Sequence, residues 1–124
     1  MSITRKPCFI IEGWSDDTQI QLAFPRCRTI ITKGTKFNGA VKGEINKAID
    51  EGYEVYILSD PDVAGTRLAN LVNKVFPEIP RITVDPEQCK CQRMYKTKYG
   101  IEYASVSYLR SVLTKYFTEE APTI

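Results

Sequence analysis

The sequence contains no histidine, and its four cysteines, Cys8, Cys27, Cys89 and Cys91, include no C-x-x-C pair. The usual donor sets of structural zinc are therefore missing, and Cys89-Lys-Cys91 would supply at most half of one. No apolar run approaches the roughly 20 residues that span a bilayer. The basic start at Arg5-Lys6 is followed only by the short run 8–11 before Glu12, which is too brief for the apolar region of a secretory signal. A Gly-rich phosphate loop of the P-loop or dinucleotide-binding type is lacking, as are internal repeats and low-complexity tracts. What these absences leave is a cytoplasmic protein with reduced thiols, no membrane contact, and chemistry that rests on neither zinc nor a nucleotide cradle.

What is present fits one ordinary domain. The chain has 124 residues, 43% hydrophobic and 26% charged, close to globular averages and far from disorder. The net charge of +2 says little about partners, but its distribution is uneven. Residues 86–100 carry Lys90, Arg93, Lys96 and Lys98 against Glu87, a local excess of +3.

Short β-rich runs alternate with helical patterns. Cys8-Phe-Ile-Ile11, Thr29-Ile-Ile-Thr32, residues 53–58 and Arg81-Ile-Thr-Val84 read as four strands. Such apolar runs without strict polar alternation suit strands covered on both faces. Between them, Val41, Ile45, Ala48 and Ile49 share one helical face that Gly52 terminates. Leu68, Leu71, Val72, Val75 and Phe76 form a second face ended by Pro77, and Leu109, Val112, Leu113, Tyr116 and Phe117 a third, with Ser105 as N-cap. A further helix is expected at about residues 15–24. The order predicts an α/β fold: a mainly parallel sheet of about four strands with helices on both faces. Residues 86–100 lack periodicity and read as a long loop. Residues 1–118 make the domain and 119–124 a frayed tail.

Three carboxylates stand at strand ends. Glu12 follows the first strand, and Asp60 and Asp62 follow the third within Ser59-Asp-Pro-Asp-Val-Ala-Gly65. In an open parallel sheet, groups beyond the carboxyl ends of the strands gather along one edge, where ligands bind. If the first and third strands are neighbours, Glu12 meets the aspartates there, and Pro61 turns the chain so that both aspartates face one crevice. Gly65 permits close approach at the start of the next helix. Crowded like charges need a cation, and an oxygen-only donor set suits Mg²⁺ or Mn²⁺. Asp16, one turn on from Glu12, adds an outer contact to the metal. Asp-Pro-Asp also fits a plain turn plus helix cap, and Glu12-Gly13 a surface turn.

Phe9-Ile-Ile-Glu-Gly-Trp-Ser-Asp16 and Ile57-Leu-Ser-Asp-Pro-Asp-Val-Ala-Gly65 resemble the glutamate and D-x-D motifs of the TOPRIM domain, found in bacterial primases, type IA and II topoisomerases, OLD-type nucleases and a small ribonuclease family. Thr32-Lys-Gly34 lies where that family often has a short glycine-containing turn. The stretch Tyr99-Gly-Ile-Glu-Tyr-Ala-Ser-Val-Ser-Tyr-Leu-Arg110 extends the likeness to ribonuclease M5, the maturation enzyme of 5S ribosomal RNA precursors, over roughly residues 7–113. The resemblance implies Mg²⁺-dependent endonucleolytic cleavage of double-stranded RNA, an rRNA-processing type of activity, with Glu12, Asp60 and Asp62 as catalytic metal ligands. Two departures alter the charge near the phosphate: Tyr103 stands where the family usually has His, and Gly65-Thr66-Arg67 where it has Gly-Glu-Lys. The family's C-terminal RNA-gripping domain finds no room here, which points to an isolated catalytic domain or a stand-alone relative with another substrate.

Lys33, Lys36, Arg67, Lys90, Arg93, Lys96 and Lys98 are the expected nucleic-acid contacts, the last four interleaved with Tyr95 and Tyr99. Lys33 and Lys36 fit an ordinary polar turn equally well. Gly13, Gly34, Gly65 and Glu102 are expected to support the metal ligands, although Glu102 fits a simple lead into the last helix too. Trp14, directly after Glu12-Gly13, reads as a packing residue, with a stacking platform as the alternative. RNA is favoured over DNA as partner, with a DNA nuclease or nickase and a non-catalytic binding module as the alternatives. A protein partner that supplies substrate grip stays open, and a monomer is the default.

Overall fold

Every residue of Pro7–Ile11 is buried, because this strand is the middle of a sheet with helices on both sides. A computed structural model of the protein describes residues 2–4, 6–34 and 36–120. The elements are β1 (Ser2–Thr4), β2 (Pro7–Ile11), α1 (Trp14–Ala23), β3 (Arg28–Ile31), α2 (Gly39–Asp50), β4 (Glu54–Ile57), α3 (Val63–Val75), β5 (Lys90–Gln92), β6 (Thr97–Tyr99), α4 (Val106–Phe117) and β7 (Thr118–Glu120). The central sheet runs β3-β2-β4, all parallel, with Ile10 opposite both Ile30 and Ile57. The first and third sequence-predicted strands are therefore neighbours.

The period of two along a strand separates two cores. Cys8, Ile10, Val55 and Ile57 turn to one face, where α2 and α3 cover them through Ile45, Ala48, Leu68 and Val72. Phe9, Ile11, Tyr56 and Leu58 turn to the other, against α1 and α4 through Ile20, Leu109 and Leu113. Aromatic packing closes that second face, with Phe24 stacked on Phe117 at 4.2 Å. The Ser105 hydroxyl accepts from Tyr108 N at 3.0 Å and caps α4 as expected.

Three expectations need correction. The fourth strand shrinks to one parallel bridge, Ile57 with Arg81, made by Ile57 N to Pro80 O and Ile82 N to Ile57 O. Pro80 lacks an N–H and Asp85-Pro86 follows closely, so ladder pairing has no room to extend. The expected loop 86–100 is instead a 3₁₀ turn (Pro86–Cys89) followed by the antiparallel β5–β6 hairpin. Residues 119 and 120, placed in a tail, belong to β7 and pair with β1; residues 121–124 of that tail lie outside those described.

Candidate metal centre

Glu12 and Asp60 come together because β2 and β4 are adjacent and end level with each other. The Glu12 Oε2 accepts from the backbone N of Asp60 at 2.7 Å, which ties the two strand ends through the acidic side chain itself. Asp16, on the first turn of α1, is folded back over them. Its Oδ2 accepts from Gly13 N at 3.1 Å and its Oδ1 from Glu102 N at 3.0 Å. Asp60 Oδ1 accepts from Ile101 N at 2.8 Å. The stretch 100–102, just past the hairpin, thus clamps two of the three carboxylates with backbone donors. Gly34 N donates to Glu12 O at 2.8 Å and brings the turn after β3 to the same edge.

The result is a cavity of about 440 Å³ lined by Glu12, Gly13, Asp16, Gly34, Asp60 and Glu102, with Trp14 at its border. Glu12 is 8% exposed and Asp16 5%. Burial is the main force on their ionisation. It lifts Asp16 to about 7, aided by repulsion from Asp60, and lifts Asp60 to about 7, aided by the charges of Glu12 and Asp62. Glu12 is raised too, by burial and then by Asp62 and Asp16, while its bond to Asp60 opposes the rise. The ion pairs among the described residues, Arg28 with Glu51 and Lys90 with Glu87, lie elsewhere. Among the described residues no ion pair joins the three acids.

Asp62 behaves differently from expectation. Its carboxylate caps α3, with Oδ1 accepting from Gly65 N at 2.7 Å, and it borders two neighbouring grooves, not the cavity of Glu12 and Asp60. Pro61 does turn the chain, but the turn sends the second aspartate to the helix end, and its field alone reaches the others. Among the described residues no three carboxylates or thiols already stand close enough to enclose a metal ion. Gly65 is needed for a steric reason: a Cβ there would lie 1.8 Å from Asp60 O.

The expected basic residues divide into three groups. Lys96 and Lys98 line a groove of about 380 Å³ with Asp62, Glu102 and Tyr103, so the hairpin reaches the acidic edge. Arg67 lines a groove of about 720 Å³ together with Arg81. Lys33 and Lys36 line one of about 630 Å³ that also includes Trp14. Lys90 is drawn to Glu87 at 3.6 Å, and the nearby Tyr103 hydroxyl raises the already high pKa of the exposed Arg93. One residue was missed. Arg81 Nη2 donates to Asp60 O at 2.9 Å and Nη1 to Thr66 Oγ1 at 2.9 Å, bracing the D-x-D turn. Trp14 is 66% exposed, not packed. The four cysteines are free thiols, and burial pushes Cys89 up to about 11.

No family model matches the chain. A ribonuclease M5 of Ligilactobacillus salivarius is 25% identical over 117 residues, covering 92% of this chain and 60% of that protein. A ribonuclease M5 of Staphylococcus aureus is 27% identical over 105 residues, covering 85% and 57%. The chain thus spans about 60% of the length of the curated relatives it matches. Among solved structures, a small TOPRIM domain protein from Bacillus stearothermophilus superposes with a TM-score of 0.69 at 24% identity, covering 94% of this chain and 93% of that one. The chain has the TOPRIM fold and is similar to the ribonuclease M5 proteins over the part of them that it spans.

Proposed function

We propose that this chain carries out Mg²⁺- or Mn²⁺-dependent endonucleolytic cleavage of structured RNA. One observation carries the proposal. Glu12, Asp16 and Asp60 are gathered at the carboxyl edge of the sheet, pushed toward neutrality by burial and by each other, with no ion pair to any of them among the described residues. Such a cluster is costly unless a cation joins it. The donors are oxygens only, which fits a hard divalent ion.

In this proposal Glu12, Asp60 and Asp16 would hold the ion by drawing closer together than they stand without it, and Asp62 would lend its carboxylate in exchange for its capping bond to Gly65. A cation bound there supplies charge neutralisation and polarisation of a phosphate oxygen. The rest falls to the protein. Backbone N–H groups of Gly13, Ile101 and Glu102 hold the carboxylates at fixed orientations, and Arg81 fixes the Asp60 carbonyl. Lys96 and Lys98 on one side and Lys33 and Lys36 on the other offer cations to the flanking backbone, so a substrate crosses the acidic edge between two basic borders. RNA is favoured over DNA because the likeness is to ribonucleases. Incubating the chain with a double-stranded RNA and a matched DNA duplex, with and without Mg²⁺, tests this directly; RNA cleavage only with metal is the expected result. The committed capping bond of Asp62 favours a second reading, a nucleic-acid-binding module without catalysis, and RNA binding without cleavage in either metal would identify it.

A further inference from the structure

Trp14 opens α1 directly after Glu12-Gly13, yet its ring packs into neither core and stays 66% exposed. It borders two cavities at once. One is the acidic cavity of Glu12, Asp16 and Asp60; the other is the groove that holds Lys33 and Lys36. The turn that carries Lys33 is fixed. Thr32 Oγ1 donates to Ile11 O at 3.3 Å, Gly34 N donates to Glu12 O at 2.8 Å, and Lys33 itself is held at a φ of 59°. A lysine in the left-handed region costs of order 1 kcal/mol or more, and such strain gathers at sites that use it. The acids of the same groove are Asp17, whose Oδ1 already accepts from Thr29 and Gln21, and Glu44 on α2. An exposed indole beside two lysines, one step from the acidic cavity, matches a nucleotide in its parts: a ring face for a base and cations for the adjoining phosphate.

We infer that Trp14, with Lys33 and Lys36, forms a subsite for an unpaired nucleotide flanking the phosphate at the acidic cavity, the base stacking on the indole. The inference rests on the nuclease reading for what lies in that cavity, and it names the substrate feature that reading leaves open: a single-stranded or bulged nucleotide beside the cut. A base inside a continuous duplex has both faces covered by its neighbours and cannot lie on the ring.

The chain contains one tryptophan, so its intrinsic fluorescence reports on Trp14 alone. The full chain is titrated in Mg²⁺ with an end-labelled RNA hexanucleotide, its DNA counterpart and a blunt RNA duplex, following tryptophan emission and label anisotropy together. The hexanucleotide should quench Trp14 as it binds, with the duplex quenching much less. Trp14→Ala should weaken hexanucleotide binding about tenfold or more, Trp14→Phe should retain most of it, and Lys33→Ala/Lys36→Ala should flatten its salt dependence. Equal quenching by the DNA strand also supports the subsite and makes it indifferent to the sugar. Saturating anisotropy without quenching, undetectable hexanucleotide binding, or unchanged affinity in Trp14→Ala overturns the inference. Thermal stabilisation of the wild-type chain by Mg²⁺ alone is read beside it; its loss counts against the metal-dependent nuclease and leaves the stacking result to stand or fall separately.

Discussion

Replacing Gly65 by alanine is expected to damage the acidic edge, even though alanine is the better helix former. Gly65 is the third residue of α3, and its missing side chain is what lets the helix start against the Asp60 peptide. The added Cβ would lie 1.8 Å from Asp60 O and 2.8 Å from Asp60 C, where contacts below about 3 Å are strongly repulsive. Helix and turn must therefore separate by about 1 Å. The Asp60 carbonyl accepts from Asp62 N at 2.8 Å and from Arg81 at 2.9 Å, and Asp60 N donates to Glu12 at 2.7 Å, so the shift strains all three bonds. Overpacking costs roughly 1–3 kcal/mol and each weakened hydrogen bond about 1 kcal/mol, against a helix-propensity gain of about 1 kcal/mol. A net loss of about 3 kcal/mol would lower Tm by about 10 °C in a domain of this size. Gly43→Ala is the internal control: it sits within α2 with nothing within 4 Å of the new Cβ, so Tm should rise by a few degrees. Thermal unfolding followed by far-ultraviolet circular dichroism compares the two. Equal or higher Tm in Gly65→Ala would refute the steric account of the D-x-D turn.

Other outcomes follow from the same geometry. A carboxyl held near 7 when folded and near 3.8 when unfolded contributes stability below about pH 4 that is lost as pH rises through 7. The metal-free protein should therefore be less stable at pH 8 than at pH 5. Asp60→Asn keeps an oxygen for Ile101 N and removes one buried charge, so in chelator it should unfold several degrees above wild type at pH 8, with the gap narrowing steadily toward pH 4; a destabilised Asp60→Asn at pH 8 would contradict the cluster's strain. The rise in Tm on adding Mg²⁺ should be larger at pH 8 than at pH 6, because bound protons must leave before the cation enters, and a pH-independent rise would argue that the ion binds elsewhere. Lys96→Ala and Lys98→Ala should each lower the salt slope of RNA binding by about one phosphate contact without changing Tm, whereas Lys90→Ala, already paired with Glu87, should do so less; equal losses from all three would point to diffuse attraction in place of a defined groove.

Most of this arrangement was legible in the sequence where burial dictates residue type. The runs at 8–11 and 55–58 are apolar at every position because each face meets a different core, and Glu12 and Asp60 follow the ends of these two strands, which the structure makes neighbours. Ser105 and Gly52 marked helix ends through capping chemistry, and Gly52 does take a φ of 87°. The hairpin 90–99 escaped because Lys90, Gln92 and Lys98 are exposed and its pairing is made by backbone bonds that leave no hydrophobic period. Arg81-Ile-Thr-Val84 was over-read for the opposite reason: its composition is that of a strand, but Pro80 and Pro86 limit the ladder. Asp62 illustrates a side chain for which two expectations were compatible with the sequence, ligand or cap, and the structure gives it the cap. Trp14 was read as packing because most aromatics are, yet a lone aromatic at the start of α1 belongs to no apolar stripe and stays exposed.

The most direct test is cleavage of a structured, partly double-stranded RNA in Mg²⁺ by the wild-type chain beside Glu12→Gln and Asp60→Asn. The account predicts metal-dependent cleavage by wild type that falls at least a hundredfold, roughly the scale of losing a metal ligand, in both variants while each stays folded. Undiminished cleavage in the variants, or none by a wild-type chain that binds the RNA and Mg²⁺, would contradict it.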